Sequence, residues 1–130
     1  MIPQKLRFRQ LADTYAIIRF ASVAAIPAWA TNGDFTSITR TADELSIVCP
    51  TKNLPPDIHA SHRWICLELE GPFPFSQTGV LLSFIRPLSE NGIPIFTIST
   101  YDTDYVLVQE ELAGTAVTTL EETGHVMIDN

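Results

Sequence analysis

Two stretches of this 130-residue chain repeat each other. ITRTADELSIV (Ile38–Val48) overlays ISTYDTDYVLV (Ile98–Val108) without a gap at an offset of 60. The overlay pairs Ile38 with Ile98, Thr39 with Ser99, Arg40 with Thr100, Glu44 with Asp104, Leu45 with Tyr105, Ile47 with Leu107 and Val48 with Val108. Each stretch reads as a β-hairpin of a unit's second and third strands, and YDTD falls in the loop of the later one, where Asp is favoured for turn hydrogen bonds. A duplicated hairpin points to two related units, each of which must supply the elements that cover it.

Alternating and short apolar runs predict strands at Lys5–Gln10, Tyr15–Ala21, Thr36–Thr41, Glu44–Pro50, Trp64–Glu70, Pro94–Thr100, Tyr105–Gln109 and, more weakly, His125–Ile128. Between the fifth and sixth lies FSQTGVLLSFIRPLSENG, where Leu81, Phe84, Ile85 and Leu88 recur at helical spacing. Ser76 is the expected N-cap and Gly92 the stop, with Pro87 tightening or kinking the last turn. ELAGTAVTTLEETG predicts a second helix with Leu112, Ala116 and Leu120 on one side and Gly124 as its end. Gly114 and the threonines make it weak by propensity, so packing must hold it.

From Trp64 onward the order is therefore βαββαβ, the ferredoxin-like arrangement. The N-terminal half repeats it incompletely. Tyr15–Ala21 corresponds to Trp64–Glu70, but the first helix slot holds only SVAAIPAWATNG, and Pro55-Pro56 limits TKNLPPDIHASH to a single turn. Ala12-Asp13-Thr14 reads as a turn, so Lys5–Gln10 and Tyr15–Ala21 are expected to form a hairpin. The expected fold is α+β: two ferredoxin-like units, residues 1–62 trimmed and residues 63–130 complete, packed as a compact pair.

Charge narrows the partners. Residues 1–64 carry seven basic and five acidic side chains, residues 65–130 one and ten. Without a basic track to displace counterions, nucleic acid is not expected as a partner. The longest strongly apolar stretch, Val80–Ile85, falls far short of the roughly 20 residues that span a bilayer, so no membrane segment is expected. MIPQKLRFRQ is charged at once and leads into no apolar stretch, so no secretory signal and a cytoplasmic address are expected.

Cys49 and Cys66 then read as reduced thiols, and without a CxxC no metal is expected. His59 and His62 sit beside a Pro-Pro loop and read as solvated; His125 reads as a surface or core-edge residue. No phosphate-binding glycine pattern occurs, no cofactor is implied, and no nucleophile and base pair is visible, so the chain is not expected to be an enzyme.

One region fits a small ligand. GPFPFSQTG leads from a strand into a helix N-terminus, whose unpaired N–H groups and positive dipole end suit a carboxylate. The hairpin STYDTD sets hydroxyls and carboxylates opposite it, so an amino acid, carrying carboxylate and ammonium together, complements both sides. The alternative is a plain capped connector facing a plain turn.

The βαββαβ order, the run FSQTGVLLSFIRPLSENGIPIFTISTYDTDYVLVQEEL and the paired TRTADELSIVCP resemble the ACT-domain family, in particular tandem ACT proteins similar to the aspartate kinase regulatory region and the CASTOR arginine sensors. The resemblance covers Trp64 to about Ile128 well and the first unit through its hairpin. It implies an amino-acid-binding regulatory or sensor module without catalytic activity; the alternative is a ligand-free structural or protein-interaction module of the same fold. Carried over, the ligand-binding positions are Phe75, Ser76, Thr78, Gly79 and Val80 in the loop and helix start, and Ile98, Ser99, Thr100, Asp102 and Asp104 in the strand and turn. Many ACT domains read Asp-x-x-Gly there, with proline before the glycine; Ser76 and Thr78 replace the acid and the proline here, while Gly79 remains. The implied partners are an amino acid effector, a second copy in a homodimer and a protein target regulated in trans.

Overall fold

The structure, a computed structural model, describes residues 4–129. Residues 1–3 and 130, the outer ends of the two expected units, lie outside the described residues. In chain order the elements are β1 (Arg7–Phe20), β2 (Ser37–Arg40), β3 (Leu45–Pro50), β4 (Trp64–Leu69), α1 (Val80–Glu90), β5 (Ile95–Ser99), β6 (Asp104–Gln109), α2 (Ala113–Glu122) and β7 (Val126–Met127). They divide into one unit of residues 4–12 with 65–129 and another of Asp13–Trp64. The first residues, expected in the N-terminal unit, thus belong with the C-terminal one.

The C-terminal unit is an α+β fold, a βαββαβ run whose sheet is antiparallel apart from its last strand, with two helices. Its strand order is β5-β6-β4-β1, and β7 runs parallel to β1 through Arg7 with Val126 and Phe8 with Met127. The start of β1 therefore stands between β4 and β7. One sheet face carries Phe8, Leu67, Leu69, Val106 and Val108, which pack with Val80, Phe84 and Leu88 of α1 and Ala116 and Leu120 of α2. Phe8 meets Phe84 edge-on at 5.2 Å between ring centroids. Burying each such side chain stabilises the unit by about 1.5–3 kcal/mol, which offsets the poor propensity of α2. Glu110–Leu112 form a 3-10 turn ahead of α2, so the helix proper starts later than its sequence pattern implies.

Ser76 is not the N-cap of α1. Gln77 N–H donates to the Pro74 carbonyl at 2.9 Å, closing a turn around Ser76, and the helix begins after Gly79, whose φ of 78° lies in the left-handed region. Pro87 stays inside α1 and is buried, and the turn after it tightens as Asn91 N–H reaches the Leu88 carbonyl at 3.2 Å. Gly92 and Gly124, with φ of 70° and 97°, terminate the two helices as expected.

The N-terminal unit holds the rest of β1 with β3 and β2, antiparallel in the order β2-β3-β1. This is the order β5-β6-β4 of the C-terminal unit. Short 3-10 turns at Ala28–Thr31 and Thr51–Asn53 stand where the other unit has helices. Ala30, Leu45, Ile47 and Cys49 form its core, with Phe20, Trp29 and Ile38 against them.

Two further expectations are corrected. β1 runs through Ala12-Asp13-Thr14 without turning, so the hairpin expected from Lys5–Gln10 and Tyr15–Ala21 does not form. Asp13 pairs with Lys52 Nζ at 3.2 Å and Thr14 Oγ1 shares a hydrogen bond with Thr51 Oγ1 at 3.1 Å, so partners distant in sequence satisfy the side chains that favour a local turn.

The repeat also has a different register. Arg40 faces Leu45, and Ser99 faces Asp104. Thr41 N–H donates to the Glu44 carbonyl at 2.9 Å, and Thr100 N–H to the Thr103 carbonyl at 2.8 Å. The hairpins therefore superpose at an offset of 59, with Thr41 on Thr100, Asp43 on Asp102 and Arg40 on Ser99. A shift of one residue moves every side chain to the opposite face, so an offset of 60 matches inward positions to outward ones.

Candidate functional site

The β4–α1 loop, the first turn of α1 and the β5–β6 turn enclose a cleft of about 420 Å³ in the C-terminal unit. Of the ten positions expected to bind a ligand, Phe75, Gly79, Val80, Ser99, Thr100, Asp102 and Asp104 line it. Ser76 and Thr78 do not: both are exposed, and the Thr78 carbonyl is taken by Gln4 Nε2 at 3.0 Å. Ile98 does not either. Ile95 packs against the helix-side core, and alternation along β5 turns Ile98 to the opposite face. Phe73, Pro74, Gln77, Leu81, Leu82, Tyr101 and Thr103 line the cleft without having been expected.

The walls are tied together at their base. Phe73 N–H donates to the Asp102 carbonyl at 2.8 Å, and Thr103 Oγ1 donates to the buried Leu69 carbonyl, also at 2.8 Å. Gly71 makes this approach possible, because a Cβ there would lie 2.8 Å from the Asp102 carbonyl oxygen. Gln4 braces the other wall: its backbone N–H reaches Ser83 Oγ at 3.3 Å, and its side chain accepts from Gln77 Nε2 at 3.1 Å.

Chemically the two walls differ. On one side α1 starts without a side-chain cap or an acidic residue in its first turn, so the N–H groups of Val80, Leu81 and Leu82 point outward with the positive dipole end. On the other side stand the Asp102 and Asp104 carboxylates with the Ser99 and Thr100 hydroxyls. Ser99 Oγ donates to Asp104 Oδ1, which orients that carboxylate. At the mouth, Phe75 and Tyr101 meet edge-on at 4.8 Å although their residues are 74% and 79% exposed. Two large rings held together in water are an informative exposure, since nothing in folding the core requires it.

Other candidate chemistry lies elsewhere. Cys49 and Cys66 are free and buried, and burial raises both thiols further above neutrality, so neither is a ready nucleophile. His59 and His62 are exposed. Among the described residues no group of three or more His, Cys, Asp or Glu side chains is placed to hold a metal ion, and no helix is long and apolar enough to cross a membrane. Tyr105 donates to Glu68 Oε2 at 3.0 Å on the far side of the sheet; burial first, then that hydrogen bond, push its phenol up to about 12.

Residues 59–122 match the family model of the ACT domain, and residues 13–57 match a second model, of an N-terminal domain. The chain is 32% identical over 87 residues to CASTOR3P of Homo sapiens, covering 57% of this chain and 53% of that protein. It is 29% identical over 97 residues to the Cytosolic arginine sensor for mTORC1 subunit 1 of Bos taurus, covering 66% of this chain and 30% of that protein. The chain thus spans about half or less of the curated relatives it matches. Among solved structures, Protein Atu0741 from Agrobacterium tumefaciens is similar along 96% of this chain and 93% of its own, with a TM-score of 0.89 and 43% identity. The aspartokinase alpha and beta subunits share the fold at a TM-score of 0.59 and 18% identity, over 92% of this chain and 98% of theirs.

Proposed function

We propose that this chain, whose residues 59–122 match the ACT-domain family model, is a non-catalytic regulatory module that binds a free amino acid in the cleft of its C-terminal unit. The observation that carries this reading is the opposition of a bare helix N-terminus to an acidic turn across a cleft of about 420 Å³, within the roughly 300–1,000 Å³ typical of small-ligand sites. The amides of Val80, Leu81 and Leu82 take the α-carboxylate, Asp102 and Asp104 take the ammonium, and Phe75 with Tyr101 covers the side chain.

In this reading the two units are a tandem ACT pair, the chain acts in the cytoplasm on a protein target in trans, and a second copy adds a further interface. The arginine sensor among its relatives makes arginine the first amino acid to try. A thermal-shift screen of the twenty amino acids at millimolar concentration tests the reading, because a ligand that binds only the folded state raises Tm by mass action. At least one amino acid is expected to raise Tm in the parent and to lose that effect in Asp102→Asn. A flat response to all twenty rejects the sensor in favour of a ligand-free module of the same fold.

A further inference from the structure

We propose that the N-terminal unit's counterpart of the cleft is held shut by its own Arg40, so that each chain offers one effector site rather than two; only the count of sites rests on the effector reading. The corrected register puts Arg40 where the C-terminal unit has Ser99, each directly opposite the first residue of the next strand. Leu45, across from Arg40, lies in the unit's core, so Arg40 stands on the same sheet face as that core, as Ser99 stands on the face of α1. The two side chains then take different courses. Ser99 turns to Asp104 and leaves the space toward the loop open.

Arg40 instead reaches across to the loop after β1. Its Nη1 donates to the Ser22 carbonyl and its Nη2 to the Ala24 carbonyl at 2.8 Å. From strand β1, on the other face of the sheet, Arg19 Nη2 donates to the Asp43 carbonyl at 2.9 Å and holds the hairpin turn itself. Asp43 corresponds to Asp102, whose carbonyl takes Phe73 N–H from its own loop. In the N-terminal unit the Arg40 side chain thus joins loop to hairpin, its planar fork spanning carbonyls on both sides of Val23. The loop cannot open without breaking charge-assisted hydrogen bonds. An ammonium would have to displace a tethered guanidinium.

Backbone hydrogen exchange on the parent, Arg40→Ser and Arg40→Lys tests the strap. Arg40→Ser, which installs the counterpart's residue, is expected to speed exchange at amides 21–26 by about tenfold while the amides of Phe73 and of 75–79 stay unchanged, with Arg40→Lys falling between. Equal rates in parent and Arg40→Ser, or equal acceleration at Phe73 and 75–79, would overturn it. Calorimetry of the parent with an amino acid that raises its Tm is expected to give one per chain, and two per chain would also overturn it. If no amino acid binds, the effector reading fails, while the exchange experiment still decides whether Arg40 holds the loop.

Discussion

His125 Nε2 donates to the Ser83 carbonyl at 3.0 Å, an acceptor that Pro87, lacking an N–H four residues on, leaves without its helical partner. His125 Nδ1 in turn accepts from Leu6 N–H at 3.0 Å, which fixes the neutral tautomer with its proton on Nε2. One imidazole therefore joins the start of β1, the middle of α1 and the chain just before β7, and the residue is only 4% exposed.

Burial lowers the pKa of His125, nearby Lys5 lowers it further, and the Ser83 hydrogen bond opposes them. The unfolded chain then takes up a proton near the ordinary 6.5 before the folded one does. The contribution to stability is complete above that pH and declines as pH falls below it, through the lowered folded value. Tm measured from pH 8 to pH 5 should fall more steeply in the parent than in His125→Gln, whose amide can keep both hydrogen bonds without titrating. His125→Ala leaves two groups unpaired and should cost about 2–4 kcal/mol in chemical denaturation. Identical pH profiles in parent and His125→Gln would refute the neutral clamp.

Gly71 and Gly114 should respond oppositely to alanine. At Gly71 the added Cβ meets backbone oxygen at 2.8 Å and Thr103 Cβ at 3.0 Å, neither of which can rotate away. Gly71→Ala should destabilise by about 1–3 kcal/mol and loosen the cleft. At Gly114, in the first turn of α2, nothing lies within 4 Å, so Gly114→Ala should stabilise by up to about 1 kcal/mol. Urea denaturation of the two variants measures both signs.

The two aspartates should divide their effects. Asp104 is already engaged by Ser99, whereas the Asp102 carboxylate stands at the exposed tip of the turn. Asp102→Asn should weaken an ammonium-bearing ligand about tenfold or more, the worth of a charge-assisted hydrogen bond. Asp104→Asn should lose comparable affinity and also disturb the turn. Calorimetry on both variants decides; parent-like affinity in both would leave the hairpin as a turn only.

Much of this was legible in the sequence because it is local. Helical spacing placed Phe84 and Leu88 in the core, Gly92 and Gly124 marked helix ends, and the repeated stretch marked both hairpins. What the sequence hid is long-range. Asp13 and Thr14 look like a turn until Lys52 and Thr51 reach them. The β4–α1 loop looks capped by Ser76 until Gly79 resets the start of the helix. His125 looked peripheral because its partners, Leu6 and Ser83, lie far off in the chain. The half-site formed by Phe73, Gln77 and Tyr101 carries no motif, since a loop's inner wall depends on where its base is pinned. The Phe75–Tyr101 ring contact has a signal in the sequence, one aromatic in each of the two loops that face each other.

The cleft itself is tested most directly by titrating a labelled sample with each amino acid that raises Tm and following backbone amide shifts by NMR. The largest changes should fall on Gly79 to Leu82 and on Ser99 to Asp104, with the amides of Ser22 to Ala24 unmoved. Shifts confined to the N-terminal unit, or saturable binding that leaves those two segments of the C-terminal unit undisturbed, would contradict an effector site in this cleft.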